Sequence, residues 1–565
     1  MLEKLTTIPG NFFGTDGRRL TPLAYLFLLM LCVAFFTPGL VTMPPTDRDE
    51  SSFAQASKQM VESGDYTDIR VQSVPRYKKP IGIYWLQSAS AKFFDPQHLN
   101  EIWAYRLPSF AGATLAVLMT AALGSLLFTP TVGLTAAMML AGCILLNVEA
   151  RLATTDAALL GSIMVAMYGL ARAYKGIAGW GTFFLFWSAV AAGILLKGPI
   201  IVLPIVSALL WLRFSDKKVR WAKNLRPLRG LIYTLALVAP WFVAIMLHSH
   251  GAFMQASAGD DMLAKIWQGQ NRGVMPPGMH LLALPITFFP FSIFIFFAAP
   301  DIWKNRRHPA IKFCLGWLIP VWILFELPLT KLPHYVLPLF PALALLTAKA
   351  MNDGFASIGT AARRWPVALG VALWLLLGFA IAATFALAPA FSDHLWMPVQ
   401  IGAGAVLLVT QAASLLLLPR QKTGSLAALT AGMLVFLTAT FGTTLPGLQH
   451  AWMTRQIVQT VDAVKPCADV QIVAAGYHEP SLIFMGGTDT LLAGSGAEAA
   501  WDMQRDNCRV AVIGKNEQQD FLNAFTGTPY MPQPARLLEG LNSGHGGAAL
   551  LTVYRVTMAQ KPAAP

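Results

Sequence analysis

Thirteen apolar runs, each about as long as a bilayer is thick, constrain this chain more than any other feature. They lie at about 21–42, 101–127, 131–147, 156–172, 180–196, 198–214, 230–248, 280–299, 312–327, 333–349, 366–389, 397–419 and 424–446. A membrane-crossing helix needs about 20 such residues. Several runs are short or abut one another, notably 131–147 and the pair 180–214, so the count is open by one either way. Of all residues, 55% are hydrophobic and 13% charged, where a soluble domain carries about a quarter charged. The expected fold is therefore an α-helical polytopic membrane protein of about 13 spans over residues 1–446, with a small α/β domain over 447–565.

Charge sets the orientation. The formal charge is +13, and in a membrane protein such an excess first reports cytoplasmic loops. Placing Lys4, Arg18 and Arg19 inside puts Arg172 and Lys175, the run from Arg213 to Arg229, Lys304 to Lys312, Lys349 with Arg363 and Arg364, and Arg420 with Lys422 inside as well. The first loop (43–100), a long loop at 249–279 and the tail then fall outside. In a bacterium this is an inner-membrane protein with a periplasmic tail, and no nucleic-acid signature competes with that reading. Cys32, Cys143 and Cys314 lie in apolar runs, whereas Cys467 and Cys508 lie in the tail and can pair there if it is periplasmic.

Ionisable residues are costly inside a bilayer, so their clustering at one depth points to a site. Asp47, Asp49 and Glu50 end the first run. An amphipathic helix is expected from Asp49 to Met60, stopped at Gly64-Asp65, and a second, aromatic-rich one from Ile81 to Phe94. Arg76, Lys78 and Lys79 lie between them. Arg151 and Asp156 open a later run, Lys197 separates two more, and Glu326, Lys331, His334 and Tyr335 surround a turn. Carboxylates suit an acceptor proton; lysines and a phenol suit a phosphate. The blander readings are headgroup-level lysines, a helix-capping role for Asp156 and an interfacial anchor at His334-Tyr335. The 249–279 loop, with Asp260, Asp261, Lys265 and Arg272, reads as a flap carrying one short helix.

In the tail, DVQIVAAG, DTLLAG, RVAVIGK and GAALLTVYRV read as strands, and AEAAWDMQ and EQQDFLNAF as helices. The AAGYHEPSL segment lacks the glycine spacing of a nucleotide loop.

Four segments together resemble a known family: RDESSFAQASKQMVESGDY, PRYKKPIGIYWLQ, ARLATTDAALL and KLPHYVLPLFPALALL. They are similar to the polyprenyl-phosphate-dependent membrane glycosyltransferases of GT-C type, most of all to the lipid A 4-amino-4-deoxy-L-arabinose transferases, themselves related to the protein O-mannosyltransferases. The resemblance implies transfer of a sugar, with inversion, from a carrier such as undecaprenyl phosphate to lipid A or another envelope glycolipid. It implies Asp49 as the principal catalytic acid residue and Asp156 as the second. Lys79, Lys197 and Tyr335 would hold the donor phosphate. Asp47, Glu50, Arg76, Lys78, Arg151, Lys331 and His334 are the remaining site candidates. No nucleotide or other cofactor and no metal are expected. The chain departs from the aminoarabinose group at Lys78, where an acid is usual, and at Ser52, where arginine is usual; the first change points to a different, acidic sugar. A protein acceptor is the runner-up. A lipid flippase would instead predict internal repeats and mid-span charges.

Overall fold

The computed structural model describes residues 19–216, 219–257, 259, 275–355, 365–542, 544 and 546–558. Among these, nine helical segments are long and apolar enough to cross a membrane. They take up ten of the thirteen expected runs, because 180–196 and 198–214 fall within one helical segment, Trp180–Asp216, whose direction breaks at Gly198. The other three are shorter or broken. The first run yields only α1 (Pro22–Phe36) and the third only α5 (Pro130–Gly142), with α6 (Ile144–Glu149) after it. The run at 280–299 is split into Met279–Thr287 and Ser292–Lys304 by the turn around Pro290. Hydropathy registers apolar length; it does not register the prolines and turns that cut a run.

The first loop contains α2 (Asp49–Ser63) and α3 (Gly82–Phe94). Gly64 ends α2 in the left-handed conformation at φ 74°, which glycine adopts without strain. Between the helices sits a two-stranded ribbon, β1 (Arg70–Val71) and β2 (Val74–Pro75), that the sequence pattern did not suggest. The next long helices are α4 (Trp103–Leu127), α7 (Asp156–Tyr174) and α8 (Trp180–Lys197). A 3-10 turn from Gly198 leads into α9 (Val202–Asp216). The side chain of Ile201 reaches back to Gly193, so the chain doubles over at Gly198 and leaves Lys197 at the bend.

One large apolar core runs through the membrane part, built on α1, α4, α5, α7 and the segment Phe340–Asp353. Two close helix approaches position the candidate site. A Cβ on Gly112 of α4 would lie 2.5 Å from the Ala157 carbonyl oxygen, so α4 packs directly on the turn that begins at Asp156. A Cβ on Gly82 would lie 2.7 Å from the Leu195 carbonyl, which seats the start of α3 beside the end of α8. Gly82→Val is therefore expected to destabilise the protein by about 1–3 kcal/mol, because rigid backbone has to move. An unchanged thermal unfolding midpoint in detergent would show that this approach is not tight.

The tail is a five-stranded sheet in the order β4-β3-β5-β7-β6. The strands β3 (Gln471–Ala475), β4 (Leu491–Ala493) and β5 (Arg509–Gly514) run parallel; β6 (Tyr530–Asn542) and β7 (Gly547–Met558) complete it antiparallel. The β6 strand and the helices Met453–Val464 and Pro480–Gly486 were not foreseen. β6 is mostly exposed along its length, so it lacks the buried apolar run that marked the others. Cys467 and Cys508, just before β3 and β5, are joined in a disulfide.

The tail rests on the first loop. Ser481 donates a hydrogen bond to Asp47, Gln55 Nε2 donates to Thr488 Oγ1 at 2.9 Å, and Lys58 Nζ to the Phe484 carbonyl at 3.1 Å. Gln72 Nε2 reaches the carbonyls of Thr488 at 3.0 Å and Thr490 at 2.6 Å. These bonds tie the first loop to the helix Pro480–Gly486 and to the turn before β4.

Candidate active site

Asp49 is the first residue of α2, and its side chain is 73% exposed. The preceding Arg48 has φ 66°, a conformation L-residues rarely adopt, so the turn that presents Asp49 is held against local strain. Arg76 Nη2 lies 3.6 Å from Asp49 Oδ1. Arg76 is itself fixed: Nη1 donates to the Tyr84 hydroxyl at 2.6 Å, and its guanidinium stacks 4.3 Å over the Phe53 ring. This exposed carboxylate beside a fixed cation is open to a ligand.

Glu50, one residue on, has the opposite environment. It is 1% exposed and fully engaged. Arg106 Nε and Nη2 donate to it at 2.8 and 3.2 Å, the Ala153 amide at 3.0 Å, and the Thr46 amide and hydroxyl at 2.8 and 2.9 Å. Arg106 also donates to the carbonyls of Leu40, Met43 and Pro44. Sequence reasoning passed over Arg106, although a lone arginine in an otherwise apolar helix was the available signal. This knot binds the end of α1, the start of α2, α4 and the loop before Asp156 together.

Asp156 opens α7 within that same region. Lys197 Nζ lies 2.6 Å from its Oδ1, and the lysine is 5.9 Å from the centre of the Tyr335 ring. Thr155 is the residue before the helix but makes no side-chain cap bond. Asp156, the first residue of the helix, accepts from Lys197 and, at 3.3 Å, from the Thr155 hydroxyl. Lys79 and His334 are within electrostatic reach of Asp156. Lys79 is half-buried and donates to the Lys78 carbonyl at 3.2 Å, whereas Lys78 is exposed. His334 Nδ1 stands 3.6 Å from Glu149 Oε1. Glu149, buried at the end of α6, is a second group that the sequence reading missed. The structure thus gathers Lys79, Asp156, Lys197, His334, Tyr335 and Glu149 into one polar cluster.

Three of the remaining candidates have other work. Arg151 is buried; it donates to the carbonyls of Pro38, Asn147 and Phe35 and lies 4.1 Å over the Phe441 ring. Lys331 is buried and donates to the Met275 and Pro328 carbonyls at 2.8 and 2.7 Å. Asp47 accepts from Ser481 of the tail. Glu326 accepts the Gly278 and His280 amides at 2.9 and 3.2 Å, fastening the end of the 249–279 loop. That loop begins with the short helix Ala252–Met254, while Asp260, Asp261, Lys265 and Arg272 lie outside the described residues.

A second acidic group sits farther along the first loop. Ligand atoms of Asp65, Asp68 and His248 all fall within 4.8 Å of one another. Arg70 and Tyr77 already donate to Asp68, and Arg70 takes the same oxygen that faces His248. Burial pushes the Asp68 carboxyl up, but the hydrogen bonds from Arg70 and Tyr77 hold it below its usual range. The Tyr77 hydroxyl is pushed up to about 12 by burial and by Asp68. The group is an ion-paired knot that ties the ribbon to the helix Pro227–His248.

Residues 78–243 match the family model described as dolichyl-phosphate-mannose-protein mannosyltransferase. The undecaprenyl phosphate-alpha-4-amino-4-deoxy-L-arabinose arabinosyl transferase of Pseudomonas paraeruginosa is 24% identical over 373 residues, 62% of this chain and 64% of that protein. An uncharacterised protein of Aquifex aeolicus is 25% identical over 57% of this chain and 62% of its own length. These matches span less than two thirds of each relative. The fold extends further. The crystal structure of ArnT from Cupriavidus metallidurans bound to undecaprenyl phosphate superimposes with a TM-score of 0.70 at 19% identity, over 94% of this chain and 98% of that one. The chain is thus similar to the mannosyltransferase family model over residues 78–243, to the aminoarabinose transferases in sequence over about three fifths of its length, and to the ArnT crystal structure in fold over nearly all of it.

Proposed function

We propose that this protein transfers a sugar, with inversion, from a polyprenyl phosphate carrier to an envelope glycolipid such as lipid A, at the periplasmic face of the bacterial inner membrane. The observation that carries the reading is the division between an exposed carboxylate and a cation-rich cluster on neighbouring elements. Asp49 is open and steadied by Arg76, while Lys79, Lys197 and Tyr335 gather around Asp156. In this reading Asp49 takes the proton of an acceptor hydroxyl, or orients an acceptor that is already anionic. Lys79 and Tyr335 hold the donor phosphate by charge-assisted hydrogen bonds. Asp156 fixes Lys197, whose remaining N–H groups can serve the same phosphate. Because the carrier phosphate is a good leaving group once its charge is met, neither a nucleotide nor a metal is needed.

The tail disulfide suits an oxidising compartment and supports the outward placement of the tail. Lys78 is exposed next to Lys79 where the aminoarabinose enzymes usually carry an acid. That basic position favours an acidic sugar such as a uronic acid.

Membranes containing the protein, given a panel of radiolabelled polyprenyl phosphate sugars, are expected to move label into an extractable glycolipid, fastest with an acidic sugar. Preference for an amino sugar would overturn the sugar assignment alone. The mannosyltransferase match favours a second reading, transfer to protein; label that remains with protein after lipid extraction would select it.

A further inference from the structure

The transfer just proposed changes the charge on the phosphate, and the chain contains a group placed to meet that change. The donor carries its sugar through a phosphodiester, a monoanion. Breaking the bond from the anomeric carbon to the phosphate oxygen leaves the bonding electron pair on that oxygen. The polyprenyl product is then a phosphomonoester dianion unless a proton reaches it; its second ionisation has a pKa of about 6. Lys79 is present before and after the step, and the charge of Lys197 is already matched by Asp156 at 2.6 Å. Histidine is the side chain that exchanges a proton near neutral pH.

We propose, resting on the polyprenyl phosphate reading, that His334 is the proton donor to the departing phosphate and that Glu149 is its positioning residue. His334 precedes Tyr335 in the chain, and their rings are 5.1 Å apart. It therefore lies beside the phenol assigned to the phosphate. Its Nδ1 faces Glu149 Oε1 at 3.6 Å. Glu149 is buried and bonded by the Thr154 hydroxyl at 3.3 Å, which holds the carboxyl in place. A buried carboxyl behind an imidazole fixes the ring. The other groups around the histidine are Asp156 and Lys197, Lys79 from the first loop, and His280 with Glu326 behind Tyr335. Glu326 is occupied by the amides of Gly278 and His280, and Glu149 is the carboxyl whose oxygen approaches the His334 ring at 3.6 Å.

The proton balance closes. The acceptor oxygen bonds to the anomeric carbon and gives its proton to Asp49. His334 gives a proton to the phosphate oxygen that received the electron pair. The product leaves as a monoanion, His334 is neutral and Asp49 is protonated. Passing that proton back to His334 through solvent resets the site, so the net reaction moves one proton from acceptor to phosphate.

The test uses the full-length protein in nanodiscs, with undecaprenyl phosphate as product and a phosphodiester analogue of the donor, from about pH 6 to pH 9. Wild type is expected to prefer the monoester over the diester, and to lose that preference as pH rises and His334 becomes neutral. His334→Gln is expected to bind the monoester about tenfold more weakly, roughly one charge-assisted hydrogen bond, with little change for the diester. His334→Lys keeps the preference at all pH values, and Glu149→Gln displaces the pH at which it is lost. A merely structural role for the pair would weaken both ligands together. If His334→Gln keeps the wild-type preference and pH dependence, the inference is wrong while the transferase reading stands. If wild type binds neither ligand, the polyprenyl phosphate reading falls and this inference with it.

Discussion

Asp49→Asn is expected to slow sugar transfer on the order of 10³-fold while leaving donor affinity unchanged, the range seen when a positioned general base is removed. The change is nearly isosteric, and Asp49 is 73% exposed with Arg76 as its ionic neighbour, so the fold loses little. Donor binding is assigned to Lys79, Lys197 and Tyr335, on other elements. The variant should therefore separate catalysis from binding. The measurement is initial rate against donor concentration, beside direct donor binding to the same preparation. A loss confined to KM would show that Asp49 binds the donor and does not act on the acceptor. Activity near wild type would remove Asp49 from the mechanism and leave the glycosyltransferase assignment without its base.

The largest expected effect on stability comes from the neighbouring residue and its partner. Arg106→Met should cost about 3–5 kcal/mol, the range for breaking a buried ion pair by removing one member. Glu50 would remain buried with its principal counter-charge gone, and the carbonyls of Leu40, Met43 and Pro44 would lose their donor. Glu50→Gln should be milder, because the single amide oxygen still accepts from either Ala153 or Thr46, which reach different oxygens of the carboxylate, and Arg106 keeps its carbonyl partners. The double variant should recover part of the loss, since no uncompensated carboxylate is then buried. Thermal unfolding of the four proteins in one detergent gives the coupling. If the two single losses simply add, Glu50 and Arg106 are not a coupled pair and the knot described here is not what holds the loop.

These outcomes treat adjacent acids as opposites, and nothing in the sequence separates them. Asp49 and Glu50 differ by one methylene and one position. On a helix that step rotates the side chain by about 100°, from the open face toward the core. Asp47, three residues before Glu50, is drawn instead to Ser481, more than four hundred residues away in the chain. Arg151 looked like Lys197 in the sequence, a cation beside an apolar run. The carbonyls of Phe35 and Pro38 engage the first, and Asp156 engages the second.

The amino-acid sequence by itself determined the membrane class, the position of most apolar segments, the two first-loop helices and the separate tail with most of its strands. Those features follow from local quantities: apolar length, charge density, and glycine and proline punctuation. The sequence also placed Asp49, Lys79, Asp156, Lys197, His334 and Tyr335 among the candidates, because charge at a span end is costly unless it is used. Only the tertiary structure decided which charges are open and which are spent, and it added Arg106 and Glu149. The physical reason is that a charge in this environment is defined by its partners. Those partners are backbone carbonyls, amides and side chains from distant segments, and only packing brings them within hydrogen-bonding distance.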